Sequence, residues 1–184
     1  MSIRTEVMLI ADLPEQLASE IDRRSAEIFS DVGPDLIDSR GIQWTPGTWC
    51  VVVYSYNEFG AYAEVLEREI IVGGQTVRVG GIGGVMSLPH MRGKGLAKAG
   101  MRAMTDYICT EMQADAGMLY CAPHNVAFYQ SLGWQQIERH ITYHQYNGTH
   151  VLDMGESSDD NVLVMPCGDL VFPDGDIDVK GNLW

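Results

Sequence analysis

The sequence lacks the features that would place it among membrane, secreted or nucleic-acid-binding proteins. Its 184 residues contain no apolar run approaching the roughly 18 residues of a membrane span, and residues 1–6 lack the basic-then-apolar plan of a secretory signal. Basic residues are few, with 12 lysines and arginines against 25 aspartates and glutamates and a formal net charge of −13. We therefore predict a cytoplasmic protein that binds neither membranes nor nucleic acid, because so acidic a chain repels phosphate backbones.

Cysteine is also scarce. The four cysteines are Cys50, Cys109, Cys121 and Cys167, and none of them forms a Cys-x-x-Cys pair. We expect neither a metal site nor a disulfide framework from this spacing, but buried free thiols. A nucleophilic Cys121 beside His124 is an alternative, because both residues follow one predicted strand.

The composition is that of an ordinary globule. Apolar residues make up 46% of the chain and charged residues 20%. A chain of this length can bury a full core without disulfides or metals, and it contains no internal repeat, low-complexity tract or linker. The sequence therefore predicts a single domain over residues 1–184.

Hydrophobic periodicity divides the chain into strands and helices. A strand is predicted over 5–10, followed by a helix that begins near Glu15. Three extended runs joined by short turns predict an antiparallel meander over 48–56, 61–72 and 76–87. The other predicted elements are a short helical piece over 35–39, a helix from Leu96, a strand over 118–122, a short helix over 126–131, an extended segment over 134–146, a hairpin turn at Asn147-Gly148 and a strand ending at Met165.

The segment from Val79 to Ala97 carries the most information. A strand ending at Ser87 leads into the loop Arg92-Gly93-Lys94-Gly95-Leu96-Ala97, which opens an apolar-periodic helix. Glycines between a strand and a helix N-terminus leave several main-chain N–H groups aimed at one point, which suits a phosphate. The loop is not a Walker A motif, because no Ser or Thr follows its lysine, and a Rossmann loop would need a third glycine where Lys98 stands.

The loop resembles the pyrophosphate loop of the GNAT superfamily of N-acetyltransferases. The pattern of that family, Arg/Gln-x-x-Gly-x-Gly/Ala, is matched by Arg92, Gly95 and Ala97. A second stretch, Pro123–Trp134, resembles the closing motif of the same family, in which a short helix carries a tyrosine and Gly-Phe or Gly-Trp begins the next strand. The two motifs together span residues 79–134 and agree in order and spacing.

The resemblance implies the GNAT fold, an α/β (α+β) arrangement. Its central sheet is mixed and mostly antiparallel, with about six or seven strands flanked by helices. The strands at 79–87 and 118–122 are expected to splay apart, and the splay marks the position of the active site.

The resemblance also implies acetyl-CoA as the cofactor, with no metal. The main chain of Val85, Met86 and Ser87 would pair with the pantetheine arm, and the pyrophosphate would bind the N–H groups of Arg92, Gly93, Lys94, Gly95, Leu96 and Ala97. Asn125 would hydrogen-bond the arm or an ordered water. Tyr129 would be the general acid, because a phenol held at the thioester sulfur can protonate a thiolate of similar basicity.

Within this superfamily the chain most resembles the aminoglycoside 2′-N-acetyltransferase branch, through its long meander and its acidic tail ending in Trp184. In that branch the tail returns to the acceptor site, so Asp178 and the Trp184 carboxylate are expected to hold ammonium groups. The branch has a glutamate on the strand before the loop, where this chain has Gly83. His124 is therefore the first choice of general base, followed by Glu64 and Glu67 on the preceding strand.

These observations predict an acetyl-CoA-dependent N-acetyltransferase. The acceptor would be a primary amine of a small, cationic molecule, including aminoglycosides, and transfer would be by direct attack in a ternary complex. An enzyme that acetylates proteins or peptides and a non-catalytic acyl-CoA-sensing module remain alternatives. A homodimer is also left open.

Overall fold

The computed structural model describes residues 2–152 and 160–184. Ten strands and three α-helices are found within these residues. The strands are β1 (Ile3–Leu9), β2 (Trp49–Ser55), β3 (Glu58–Val72), β4 (Gln75–Ser87), β5 (Ala116–Cys121), β6 (Gln135–Ile137), β7 (Ile141–Gln145), β8 (Gly148–Val151), β9 (Asn161–Pro166) and β10 (Ile177–Asp178). The helices are α1 (Glu15–Ile28), α2 (Leu96–Thr110) and α3 (Val126–Gln130).

All ten strands join one sheet in the order β6-β9-β5-β4-β3-β10-β7-β8, and β1 and β2 branch from β3. β3 is long enough to pair with β2 along its first half and with β10 near its end. Only β4 with β5 and β10 with β7 are parallel pairs. The predicted mixed, mostly antiparallel α+β fold is confirmed, with more strands than expected because the C-terminal segment adds β10 and the region after α3 forms four short strands.

The helices cover the two faces of the sheet. α2 packs on one face through a stripe of buried residues that includes Leu96, Met104 and Ile108, as the helical spacing predicts. A Cβ on Gly80 of β4 would lie 2.5 Å from the Ile108 side chain, so only glycine allows this close approach. α1 packs on the opposite face, where it forms a smaller core with β2 and the start of β3.

Two sequence expectations are wrong. Residues 35–39 form no helix, but a tight loop in which the Asp38 carboxylate accepts the N–H groups of Arg40 and Ile42. This local bonding competes with helical hydrogen bonds. Cys109 and Cys167 form a disulfide, because the fold brings the end of α2 beside the residue that follows β9. Cys50 and Cys121 are buried free thiols, as expected.

Among the described residues, no helix has the length and apolar character needed to cross a membrane.

Candidate functional site

β4 and β5 pair along only part of their length. Their ladder joins Val79–Ile82 to Ala116–Leu119 and then ends. Beyond this point β5 continues with β9 on its other side, whereas β4 keeps β3 as its partner. The edge of β4 that faces β5 is therefore open from Gly83 to Ser87, which is the splay that the sequence predicted.

A bulge marks the start of the open edge. Gly84 and Val85 together lie opposite the single residue Ala63 of β3, and Gly84 has a φ of +59°. A bulge of this kind bends a strand and re-aims the residues that follow. The expected pantetheine contacts Val85, Met86 and Ser87 all lie on the open stretch. The Met86 side chain is buried under α1, so Met86 can offer a ligand only its main chain.

The glycine-rich loop follows β4 and turns into α2. Gly93 and Gly95 adopt left-handed conformations, with φ of +75° and +76°. Within the described residues, the main-chain N–H groups from Gly93 to Lys98 donate no hydrogen bond to any main-chain or side-chain acceptor. The Arg92 and Lys94 side chains are exposed, so positive charge borders these free donors. Such an arrangement can bind an anion, because free donors at a helix N-terminus favour negative charge.

The two ends of the loop sequence differ in what they can offer a ligand. The Leu96 side chain is 1% exposed and lies in the core with Met104 and Ile108, so only its N–H is available. The positions of Gly93 and Gly95 have no neighbouring atom within 4 Å of an added Cβ. The main chain therefore has open space in front of it, which a phosphate could fill.

Tyr129 lies on α3, on the same side of the sheet as α2. Its ring packs against Phe128 and Trp134 at centroid distances of 5.0 and 6.4 Å. Burial raises the pKa of the Tyr129 hydroxyl above its ordinary value. The phenol therefore stays protonated at neutral pH and can act as a hydrogen-bond donor.

His124 and Asn125 are exposed on the short 3-10 turn that joins β5 to α3. Cys121, at the end of β5, is 9% exposed, and burial raises its pKa to about 11. A thiol that stays protonated at neutral pH is a poor nucleophile, which argues against the nucleophilic Cys121 considered above.

Glu64 lies directly opposite Gly83 across the β3–β4 ladder. Directly opposed residues project from the same face of a sheet, so the Glu64 side chain occupies the face above Gly83. The Glu64 Oε2 atom accepts the Gly47 N–H at 2.8 Å, and Oε1 accepts the Tyr62 hydroxyl at 3.2 Å. The carboxylate is thus fixed beside the start of the open edge.

Trp184 reaches the same face of β4. A Cβ on Gly83 would lie 3.2 Å from the main-chain carbonyl carbon of Trp184, and a Cβ on Gly81 would lie 2.5 Å from the indole Nε1. The indole donates to the Met118 carbonyl oxygen of β5 at 3.3 Å. Trp184 is only 5% exposed, and it crosses from β4 to β5 next to the point where these strands part.

Glu67 and Asp178, the other predicted acceptor contacts, lie elsewhere. Glu67 is an odd number of residues from Glu64, so it points to the opposite face of the sheet, where it pairs with Arg78 at 3.1 Å. Asp178 is opposite Ile71, seven residues along β3 from Glu64, which is roughly 23 Å in an extended strand. The structure therefore does not bring these two carboxylates to Gly83.

Asp178 has a different set of partners. Its carboxylate accepts the Lys180 N–H and pairs with His144 Nε2 at 2.8 Å. Burial opposes ionisation, but the hydrogen bonds from Lys180 and His144 outweigh it and lower the pKa of Asp178. A surface hollow of about 470 Å³ borders Asp178 and Gly73. It lies at the far end of β3 from the glycine-rich loop.

Four residues that sequence analysis did not single out contribute to this region: Gly47, Tyr62, Arg68 and Tyr120. Tyr62 and Gly47 hold the Glu64 carboxylate. Arg68 contacts Trp184, and Tyr120 packs against it. Alternation along β3 could have placed Tyr62, Glu64 and Arg68 on one face and Glu67 on the other, but the contacts with Gly47 and Trp184 span long sequence separations.

Comparison with known proteins gives one family and a common fold. A model of the acetyltransferase (GNAT) domain matches residues 33–137. The structure of Escherichia coli ElaA has a TM-score of 0.58 and 16% identity, with 89% of this chain and 99% of that chain covered. An acyl-CoA N-acyltransferase from Pseudomonas aeruginosa has a TM-score of 0.59, 16% identity and the same coverage. A search of proteins with curated descriptions found no match.

Proposed function

This chain belongs to the GNAT acetyltransferase family, and on that premise we propose that it transfers an acetyl group from acetyl-CoA to a primary amine of a small, cationic molecule. The chain is an enzyme of that family, and its acyl donor is an acyl-CoA. The observation that best supports an acetyl-CoA site is the row of free N–H groups from Gly93 to Lys98, placed at the end of a strand with an open edge.

The residues present fit acetyl-CoA, which would supply the activated acetyl thioester. The N–H groups between Arg92 and Ala97 would bind the pyrophosphate, and the exposed Arg92 and Lys94 would attract it. The open edge of β4 from Val85 to Ser87 offers main-chain groups to the amide-containing pantetheine arm, in the manner of an added strand. Asn125, exposed at the end of β5, would contact the same arm.

On one side of the sheet, we propose Tyr129 as the group that donates a proton to the departing sulfur. Its raised pKa keeps the proton on the phenol until a thiolate develops. Its position on α3, directly after β5, places it next to the strand that diverges from β4. The buried ring has little freedom to leave this position, because it packs on two other aromatic rings.

On the other face, we propose Glu64 as the acceptor-binding carboxylate and as a route for the ammonium proton. Gly83 has no side chain to act as a base, and Glu64 is the residue directly opposite. The fixed carboxylate would pair with the incoming ammonium group through a charge-assisted hydrogen bond. His124 remains an alternative base at the end of β5, and Trp184 a further acceptor contact beside Gly83.

The acceptor class is inferred from charge. The net charge of −13 attracts polycations, and Glu64 offers a fixed anion beside the open edge. Aminoglycosides are members of this class and are the first drugs that we propose to test. With Asp178 and Glu67 distant from Gly83, the support for them rests on Glu64, Trp184 and overall charge.

The direct test measures thiol release from acetyl-CoA with three amines: an aminoglycoside with a free 2′-amine, one with a 2′-hydroxyl, and a simple arylalkylamine. Turnover of the first alone would support the aminoglycoside proposal, and turnover of only the arylalkylamine would refute that proposal and keep the transferase. Calorimetry with CoA accompanies the assay. Tight CoA binding without turnover of any amine, basic peptides included, would favour an acyl-CoA-sensing module instead.

A further inference from the structure

Arg68 connects three parts of the chain on the face that carries Glu64. From β3, its Nη1 donates to the Asn182 carbonyl oxygen and its Nη2 donates to Thr45 Oγ1 at 3.2 Å. Its guanidinium carbon lies 5.2 Å from the centre of the Trp184 ring. A planar guanidinium is suited to this task, because it can stack on an aromatic ring while it donates in two directions in its own plane.

The residues around Arg68 hold Trp184 in one place. The Thr45 N–H donates to the Leu183 carbonyl oxygen at 2.7 Å, so the loop that Arg68 contacts also binds the segment before Trp184. The Tyr120 ring packs on Trp184 at a centroid distance of 5.3 Å. Within the described residues, the buried Tyr120 hydroxyl has no hydrogen-bond partner, so ring packing is what relates it to Trp184.

Trp184 in turn forms the surface next to the open edge of β4, through its contacts with Gly81 and Gly83. We propose that Arg68 is a positioning residue for the acceptor: it fixes Trp184 against β4 and thereby shapes the acceptor side of the site. This inference rests on the proposed function. Arg68 lies on the face opposite α2, so its effect should reach the acceptor and leave the binding of acetyl-CoA at the loop unchanged.

Arg78 provides a matched control. It lies on the neighbouring strand β4, and its guanidinium donates to the carbonyl oxygens of Met112 and Gln113 and pairs with Glu67. Like Arg68, it joins a strand to a distant segment through main-chain carbonyl groups. It projects to the face of α2, however, and has no contact with Trp184 in the part of the chain that the structure describes. Loss of general stability should therefore affect both variants, and loss of acceptor positioning only one.

The experiment compares Arg68→Met, Arg68→Lys and Arg78→Met with the wild type, at a temperature where thermal unfolding shows each protein to be folded. Kinetics use acetyl-CoA and whichever of the three amines above is turned over fastest. For Arg68→Met we expect the acceptor KM to rise about tenfold or more, while the acetyl-CoA KM changes less than about twofold. Arg68→Lys should be intermediate, because lysine keeps the charge but not the planar fork.

A second measurement is independent of the acceptor. The indole N–H signal of Trp184 is assigned in a nitrogen–proton correlation spectrum by comparison with Trp184→Phe, and its hydrogen exchange is followed. We expect about tenfold faster exchange in Arg68→Met than in the wild type, and wild-type exchange in Arg78→Met. Unchanged exchange in Arg68→Met would overturn the proposed hold on Trp184.

The remaining outcomes are also decisive. An equal rise in both KM values, or the same KM split in Arg78→Met, would overturn the positioning role even though the enzyme is an acetyltransferase. Absence of turnover with all amines would overturn the proposed function, and with it any role of Arg68 toward an acceptor. In that case an altered Trp184 signal would show only that Arg68 orders the tail.

Discussion

Replacement of Gly95 by valine tests the phosphate cradle directly. Gly95 is the residue before α2 and has a φ of +76°, with no atom within 4 Å of an added Cβ. A side chain at this position would meet no part of the protein, but it would stand in the space in front of the free N–H groups. We therefore expect Gly95→Val to fold and to lose CoA binding.

The expected magnitudes separate the two effects. A left-handed conformation costs an L-residue about 1–2 kcal/mol, somewhat more with a branched side chain, against a typical stability of about 5–15 kcal/mol. Loss of two charge-assisted hydrogen bonds to phosphate, at about 1.5–3 kcal/mol each, corresponds to a Kd at least about a hundredfold higher. Unfolding experiments should therefore show a modest loss, and calorimetry a large one.

Gly41→Val is the matched control, because Gly41 has a φ of +79° and equally open surroundings but lies in the loop before β2. Calorimetry with CoA compares the two variants, and thermal unfolding confirms that both are folded. We expect Gly41→Val to show similar destabilisation and wild-type affinity. A folded Gly95→Val protein with wild-type affinity would refute the cradle, and so would an equal loss of affinity in Gly41→Val.

Three further predictions concern side chains. Tyr129→Phe should lower kcat by roughly 10²- to 10⁴-fold with a smaller effect on the acetyl-CoA KM; a full rate in single-turnover experiments would leave Tyr129 as a packing residue only. Glu64→Gln should lower kcat/KM for a cationic amine by about tenfold or more, most strongly at low salt, whereas Glu67→Gln on the other face should match the wild type; equal effects would remove Glu64 from the acceptor site. Burial raises the pKa of Tyr62, Tyr120 and Tyr129 above the ordinary value near 10, so the folded state retains protons that the unfolded chain releases and stability should fall as the pH rises above about 10. A phenolate absorbance titration should show these residues ionising together with unfolding, and ionisation in the intact fold would contradict the burial argument.

Much of the region around the loop could be predicted because its signals are local. The glycines at 93 and 95, the strand before them and the apolar stripe of α2 are contiguous in sequence. Strand–turn–helix geometry depends on neighbouring residues and on turn chemistry. The hairpin at Asn147-Gly148 was predicted for the same reason and is present between β7 and β8.

The predicted acceptor contacts fared differently, because they required knowledge of faces and distances. Glu64 and Glu67 are close in sequence but project to opposite faces of β3. Asp178 and Trp184 belong to one short segment, yet only Trp184 lies at Gly83, because the tail runs antiparallel to β3 and covers its length before it ends there. Residues six apart in an extended chain are roughly 20 Å apart.

The sequence alone therefore determined the glycine-rich loop, the helix that follows it and the type of fold, since each depends on local geometry and periodicity. Only the tertiary structure decided that Cys109 meets Cys167, that Glu64 is held by Gly47 and Tyr62, and that Arg68 secures Trp184. These contacts join residues that are distant in sequence or depend on strand register. Their formation depends on how the strands order and where β4 leaves β5, which no local pattern of residues encodes.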